Sequence, residues 1–147
     1  MNIPFSPPDI TEEEIEAVAE VMRSGWITTG PKTKELERKM AEFTHTNRGV
    51  CLNSATSCME MALRLFEIGP GDEVIVPAYT YTASASVVCH VGATLRLVDV
   101  EKGTFHIDYA AVESMINENT KAIIPVDLVG VMVDYDRIRA IVESKKS

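Results

Sequence analysis

EVIVPAYTYTASASVVCHVGATLRLV, residues 73–98, contains the pattern that predicts the fold class. It opens with a short apolar run at 73–76, passes through a loop rich in tyrosine and threonine, and continues into a helical pattern at 82–91. A second apolar run follows at 94–98. Two strands joined by a helical crossover form a βαβ unit, whose strands lie parallel. The stretch therefore predicts a parallel sheet.

The same alternation extends to both sides of this stretch. Further strands are predicted at residues 49–52 and 122–126, and further helices at 56–67 and 109–117, the latter capped by Asp108. Asp134 can cap a last helix in the same way. Helices between parallel strands cover both faces of the sheet. The sequence thus predicts a three-layer α/β/α fold with a mostly parallel sheet.

Residues 1–45 have a different pattern, which predicts an extended arm and two helices. Prolines at positions 4, 7 and 8 favour an extended start. Thr11 and Glu14 have the spacing of a capping box at the start of a first helix, which Gly25 would end. Pro31 suits the first turn of a second helix, so residues 26–30 should form the loop between the two. We place the boundary to the α/β region, residues 46–147, after residue 45.

Composition and charge exclude several classes of partner. The chain has 46% hydrophobic and 24% charged residues, which is typical of a globular protein. Its formal charge is −8, and its 14 basic residues are scattered, which argues against nucleic acid or an anionic membrane surface as the partner. No apolar stretch approaches the roughly 18–20 residues that span a bilayer.

The cysteines and histidines show no metal-ligand spacing. Cys51, Cys58 and Cys89 contain no C-x-x-C pair, and we interpret them as small buried apolar residues in a reducing cytoplasm. The histidines at 45, 90 and 106 lack the i, i+4 spacing of a helical ligand pair. We therefore expect no metal site.

Candidate binding residues follow the predicted strands, because ligands of parallel sheets gather at the carboxyl ends of the strands. The small residues 53–57, Asn-Ser-Ala-Thr-Ser, precede a helix and could cradle a phosphate, or Ser54 could simply cap that helix. The segment 77–83 offers two tyrosine rings that could stack on a flat ligand or pack against the protein. Asp99 and Asp127 follow two other strands and suit either acid–base chemistry or turns.

Five segments in order resemble the DegT/DnrJ/EryC1/StrS family of fold-type I pyridoxal-phosphate (PLP) enzymes. They are SGWITTGP at 24–31, NSAT at 53–56, GPGDEVIVPAYTY at 69–81, Gly92-Ala93 with VDV at 98–100, and IIPV at 123–126. One departure stands at Asp127-Leu-Val-Gly130, where that family usually has a His-Leu-Tyr-Gly type sequence.

The resemblance implies a fold, a cofactor and candidate site residues. Residues 46–147 would be the front, truncated portion of a PLP-transferase large domain. Ala55 and Thr56, with Ser54 beside them, would hold the PLP phosphate, and the ring of Tyr81 would lie against the pyridine. Thr28 and Thr29 would face the substrate. The lysine that forms the Schiff base in that family would lie beyond Ser147, so we assign no catalytic residue here.

The implied reaction transfers an amino group from an amino-acid donor to a keto group on a nucleotide-linked sugar, in at least a homodimer. The chain alone would then be an inactive fragment. Two alternatives remain open. A PLP-dependent sugar dehydratase or another lyase would differ at the residue that takes the place of the lysine. A non-catalytic α/β binding module would be monomeric and would melt cooperatively.

Overall fold

The computed structural model describes residues 6–145 of the chain. Two compact units are present, Met1–Cys51 and Leu52–Ser147. The start of the predicted arm, including Pro4, lies outside the described residues. The boundary predicted after residue 45 stays a prediction.

The first unit contains two helices, α1 (Glu12–Arg23) and α2 (Pro31–Phe43). The capping box at Thr11 and Glu14 is confirmed, since Thr11 accepts from the Glu13 amide and Glu14 bonds back to the Thr11 amide. Gly25 follows the end of α1 with a φ of 74°, a left-handed conformation that glycine adopts without strain. Pro31 is the first residue of α2, as the sequence predicts.

The strand predicted at residues 49–52 is wrong. No ladder is formed there by the described residues, and this stretch instead runs along α2. The Cys51 amide donates to Glu37 Oε1 at 2.9 Å, so a side chain takes the hydrogen bond that a neighbouring strand would accept. A Cβ atom on Gly49 would lie 2.6 Å from the Glu37 carbonyl oxygen, which shows how closely the two backbones approach.

Within residues 52–145, the second unit contains a three-stranded parallel sheet and four α-helices. The strands are β1 (Glu73–Pro77), β2 (Thr94–Val98) and β3 (Thr120–Ile123), in the order β2-β1-β3. The helices are α3 (Ala55–Leu65), α4 (Ala83–His90), α5 (Tyr109–Met115) and α6 (Tyr135–Ser144). Asp108 and Asp134 cap α5 and α6 as predicted. The prediction of an α/β fold with a parallel sheet is confirmed.

The boundaries of β3 differ from the predicted strand at 122–126. Pairing starts earlier, since the Glu73 amide donates to the Asn119 carbonyl at 2.7 Å. The last hydrogen bond between the two strands runs from the Ile124 amide to the Ile75 carbonyl at 2.9 Å.

The central strand β1 supplies side chains to both faces of the sheet. Val74 and Val76 point into a core with α3 and α4, whereas Ile75 points into a second core with α5 and α6. All three are fully buried. This alternation follows from the two-residue period of a strand, and it gives the three layers that the sequence predicts.

Candidate functional site

The amino end of α3 is formed by Ser54, which is its N-cap. The Ser54 hydroxyl oxygen accepts from the Ser57 amide at 3.1 Å and lies 3.1 Å from the Ser57 hydroxyl. The capping role that the sequence left open is therefore present. The side chain of Ser54 is engaged within its own turn.

The amides of Ala55 and Thr56 are the free donors at this helix end. They are the first two N–H groups of α3, which an α-helix leaves without an internal partner, and within residues 6–145 neither has an acceptor. The first turn holds no acidic residue, so the positive end of the helix dipole is not neutralised locally. Ala55 is exposed and Thr56 is half-buried. This terminus can accept an anion, with the Thr56 hydroxyl as an additional donor.

The two tyrosines after β1 have different environments. Tyr79 stacks on Phe105, with ring centroids 5.7 Å apart and planes 18° from parallel. Tyr81 keeps 81% of its surface exposed, and no stacking partner is found for it among the described residues. Packing therefore occupies one face of Tyr79, which still exposes 58% of its surface, while the ring of Tyr81 is open to a ligand on both faces.

Topology places the Ser54–Thr56 turn and Tyr81 at the same edge of the sheet. α4 crosses from the end of β1 to the start of β2, which lies parallel to it, so α4 begins at the carboxyl edge. α3 ends just before the turn that enters β1, so its amino end also points towards that edge. Both helices pack on Val74 and Val76. These are the predicted cofactor-side residues.

A polar contact braces α3 against α4. Glu60 accepts two hydrogen bonds from Arg64, at 3.0 and 2.8 Å, and its other oxygen lies 2.9 Å from His90 Nδ1. The bond from Arg64, and after it the bond from His90, lowers the pKa of Glu60. No local pattern predicts this pair, because residues 60 and 90 lie on different helices with β1 between them.

The two aspartates at strand ends hold the backbone. Asp99 Oδ1 accepts from the next amide, that of Val100, at 2.8 Å. Asp127 accepts from the Val133 amide at 2.8 Å and from the Tyr135 hydroxyl at 3.0 Å, so it closes the loop between β3 and α6. Burial, and after it the bond to Asp127 and its negative charge, raises the pKa of Tyr135. The sequence analysis did not predict the hydrogen bond of Tyr135 to Asp127, because Tyr135 belongs to no recognisable motif.

Thr28 and Thr29 lie in the loop between α1 and α2 of the first unit. Both are exposed, and within residues 6–145 neither hydroxyl has a hydrogen-bond partner. The loop itself is ordered by Trp26, whose indole N–H donates to the Thr29 carbonyl at 3.0 Å.

Three further features bear on the kind of site. No group of three or more His, Cys, Asp and Glu side chains in the described part of the chain is placed to hold a metal ion. A cavity of about 440 Å³ lies beside β3, and its apolar lining comes from Ile116, Ala122, Ile123, Ile138 and Val142. None of the predicted site residues lines it. No helix between residues 6 and 145 is both long and apolar enough to cross a membrane.

A parallel α/β unit with free amides at a helix amino end on its carboxyl edge is typical of proteins that bind nucleotides or cofactors. Comparison with known proteins narrows the class. The model of the DegT/DnrJ/EryC1/StrS aminotransferase family matches residues 8–146. This chain belongs to that family.

Solved structures agree with this membership. Spr1654 of Streptococcus pneumoniae, described as a sugar aminotransferase and solved in apo, PLP and PMP forms, is 61% identical. The match to its PMP form has a TM-score of 0.95 over 99% of this chain and 36% of that one. DesV of S. venezuelae is 36% identical, with a TM-score of 0.86 over 92% of this chain and 36% of its own. The chain thus spans about a third of the length of these proteins.

Proposed function

We propose that this chain is the amino-terminal part of a PLP-dependent aminotransferase that transfers an amino group from an amino-acid donor to a keto group on a nucleotide-linked sugar. The observation that carries the proposal is the open amino end of α3, with the free amides of Ala55 and Thr56 at the edge where Tyr81 exposes its ring. Family membership supports the reaction type. The description of Spr1654 supports the sugar and the cofactor.

The residues present fit the cofactor. PLP has a phosphate and a flat aromatic ring, and it supplies an electron sink when bound. The Ala55 and Thr56 amides and the Thr56 hydroxyl donate to the phosphate at the positive end of α3. Ser54 shapes this turn by capping it. Tyr81 covers one face of the ring.

The role of this chain is binding and positioning. We assign none of its residues a catalytic role, and the 147-residue chain by itself should not transaminate. Thr28 and Thr29 contribute hydroxyls on the substrate side. The enzyme acts as a homodimer in the cytoplasm. Cys51, Cys58 and Cys89 are free, which suits a reducing compartment, although Cys58 and Cys89 are exposed and their predicted burial is wrong.

A spectroscopic cycle with the whole enzyme tests the reaction. The enzyme is saturated with PLP, treated with glutamate or another amino donor, freed of small molecules, and then given a keto sugar linked to a nucleotide. We expect the donor to bleach the absorbance band of bound PLP, and the keto sugar to restore it. An enzyme that binds no PLP at saturation would overturn the proposal, and a band that the donor leaves unchanged would overturn the transamination.

Thr56→Ala tests the phosphate site. Loss of one hydroxyl donor to a charged phosphate should weaken PLP retention by about 1–2 kcal/mol. Thr94→Ala is the matched control, since Thr94 is an exposed threonine at the start of β2, at the opposite edge of the sheet. Equilibrium dialysis of PLP against both variants measures the difference. Equal PLP affinity in Thr56→Ala and in the unmodified enzyme would remove Thr56 from the site.

A further inference from the structure

The loop between α1 and α2 is closed by a contact between Trp26 and Gly30. The indole lies directly on the glycine, so a Cβ atom at position 30 would be 2.3 Å from Trp26 Cδ1 and 2.4 Å from Nε1. Gly30 is buried as a result, whereas Trp26 keeps 58% of its surface exposed. Only glycine fits at position 30, because there is no room for a side-chain carbon between the ring and the backbone.

Gly30 is required for space. Its negative φ of −145° lies outside the left-handed region that favours glycine, whereas its ψ of −159° lies outside the range preferred by a residue before proline, here Pro31. Substitution by alanine would displace the indole. Trp26→Ala removes the same contact without changing residue 30, so the two variants together report on the ring contact.

Hydrogen bonds fix the loop at both of its ends. The Ser24 hydroxyl donates to the Val21 carbonyl at 2.6 Å and accepts from the Trp26 amide at 3.2 Å, which ties the entry of the loop to α1. The indole N–H donates to the Thr29 carbonyl at 3.0 Å, one residue before the Gly30 N-cap of α2. The segment between these bonds contains Thr28 and Thr29, whose side chains are exposed.

We propose that Trp26 and Gly30 are positioning residues, which hold this loop in one conformation and thereby present the hydroxyls of Thr28 and Thr29 to the nucleotide sugar. The inference rests on the proposed function for the identity of the substrate. A loop that is already ordered loses little conformational freedom when substrate binds, so its contacts contribute more fully to affinity. Release of the loop should raise KM and leave the chemistry of the bound substrate nearly unchanged.

The first experiment uses Trp26 itself as the probe, because it is the single tryptophan of the 147-residue chain. In Gly30→Ala the displaced indole should emit at longer wavelength and be quenched more strongly by acrylamide than in the unmodified chain. Gly69→Ala is the matched control, since a Cβ there would meet only the Val91 carbonyl oxygen at an ordinary 3.6 Å. Identical emission and quenching in Gly30→Ala and the unmodified chain would overturn the contact.

The second experiment is a double-mutant cycle in the whole enzyme. Trp26→Ala and Gly30→Ala should each raise KM for the nucleotide sugar about tenfold, with kcat and PLP retention changed less than about twofold. Because both variants break one contact, Trp26→Ala/Gly30→Ala should resemble Trp26→Ala alone. Fully additive effects, or an unchanged KM in Gly30→Ala, would overturn the positioning role.

The two experiments separate this inference from the proposed function. An enzyme that transaminates normally but keeps its KM in Gly30→Ala contradicts the inference and leaves the proposed function intact. An enzyme that accepts no nucleotide sugar contradicts the proposed function and the substrate assignment of the loop together, while the fluorescence of Trp26 still decides whether the indole contact exists.

Discussion

Tyr79 and Tyr81 show how two identical residues in one short segment acquire different roles. Stacking on Phe105 occupies the ring of Tyr79, whereas Tyr81 offers an open ring at the edge of the sheet. We expect Tyr81→Ala in the whole enzyme to weaken PLP binding by about 0.5–1.5 kcal/mol through lost stacking. Tyr79→Ala should lower the melting temperature and leave PLP affinity near that of the unmodified enzyme. Titration of PLP against both variants checks this, and a reversed order of affinities would exchange the two assignments.

The sequence could place single residues where a local pattern determines them. Thr11, Asp108 and Asp134 cap the helices that their positions predict, because a cap requires only one side chain and the amides of the next turn. The contact between Trp26 and Gly30 could not be predicted. It depends on the conformation of the loop, which the spacing of residues in the sequence does not determine.

The side chain of Asp127 closes the loop between β3 and α6. Asp127 joins the two through the Val133 amide and the Tyr135 hydroxyl. Tyr135→Phe removes one of these bonds and should cost about 0.5–1 kcal/mol at neutral pH. The pKa of Tyr135 is raised above the ordinary 10.0, so its contribution is complete below that pH and disappears as the pH rises through the folded-state value.

Urea unfolding of the unmodified chain and of Tyr135→Phe, at neutral pH and again above pH 10, measures this dependence. The difference in unfolding free energy should shrink at the higher pH. Tyr79→Phe serves as the control, because its hydroxyl has no partner within residues 6–145. A difference that stays constant across this pH range would show that the hydroxyl of Tyr135 does not stabilise the loop.

The prediction of strands was correct for two segments that a single helix connects, and it was wrong for residues 49–52. β1 and β2 were predictable because one helix connects them and their apolar runs are short and clearly bounded. Residues 49–52 have the same apolar character but pair with no described strand. A segment forms a strand only when another strand pairs with it. An apolar run in the sequence does not indicate which segment that would be.

The distribution of apolar surface governs the behaviour of the whole molecule. In the first unit, α1 and α2 each leave apolar side chains at helical spacing more than a third exposed. These are Ile15, Val18 and Met22 on α1, and Leu36, Met40 and Phe43 on α2. In the second unit, β3 borders a cavity with apolar walls. Exposed apolar surface of this kind promotes association, since contact between chains removes it from water.

The 147-residue chain should therefore self-associate as its concentration rises, and the helices of the first unit should contribute. Phe43→Glu places a charge on the most exposed of the six side chains, at 81%, and should shift sedimentation velocity towards the monomer. Lys34→Gln is the control, because it changes the formal charge by the same single unit at an exposed position on α2 without touching an apolar side chain. A chain that stays monomeric at high concentration would contradict this prediction and would favour a complete binding module. Association that Phe43→Glu does not reduce would show that another apolar surface of the chain makes the contact.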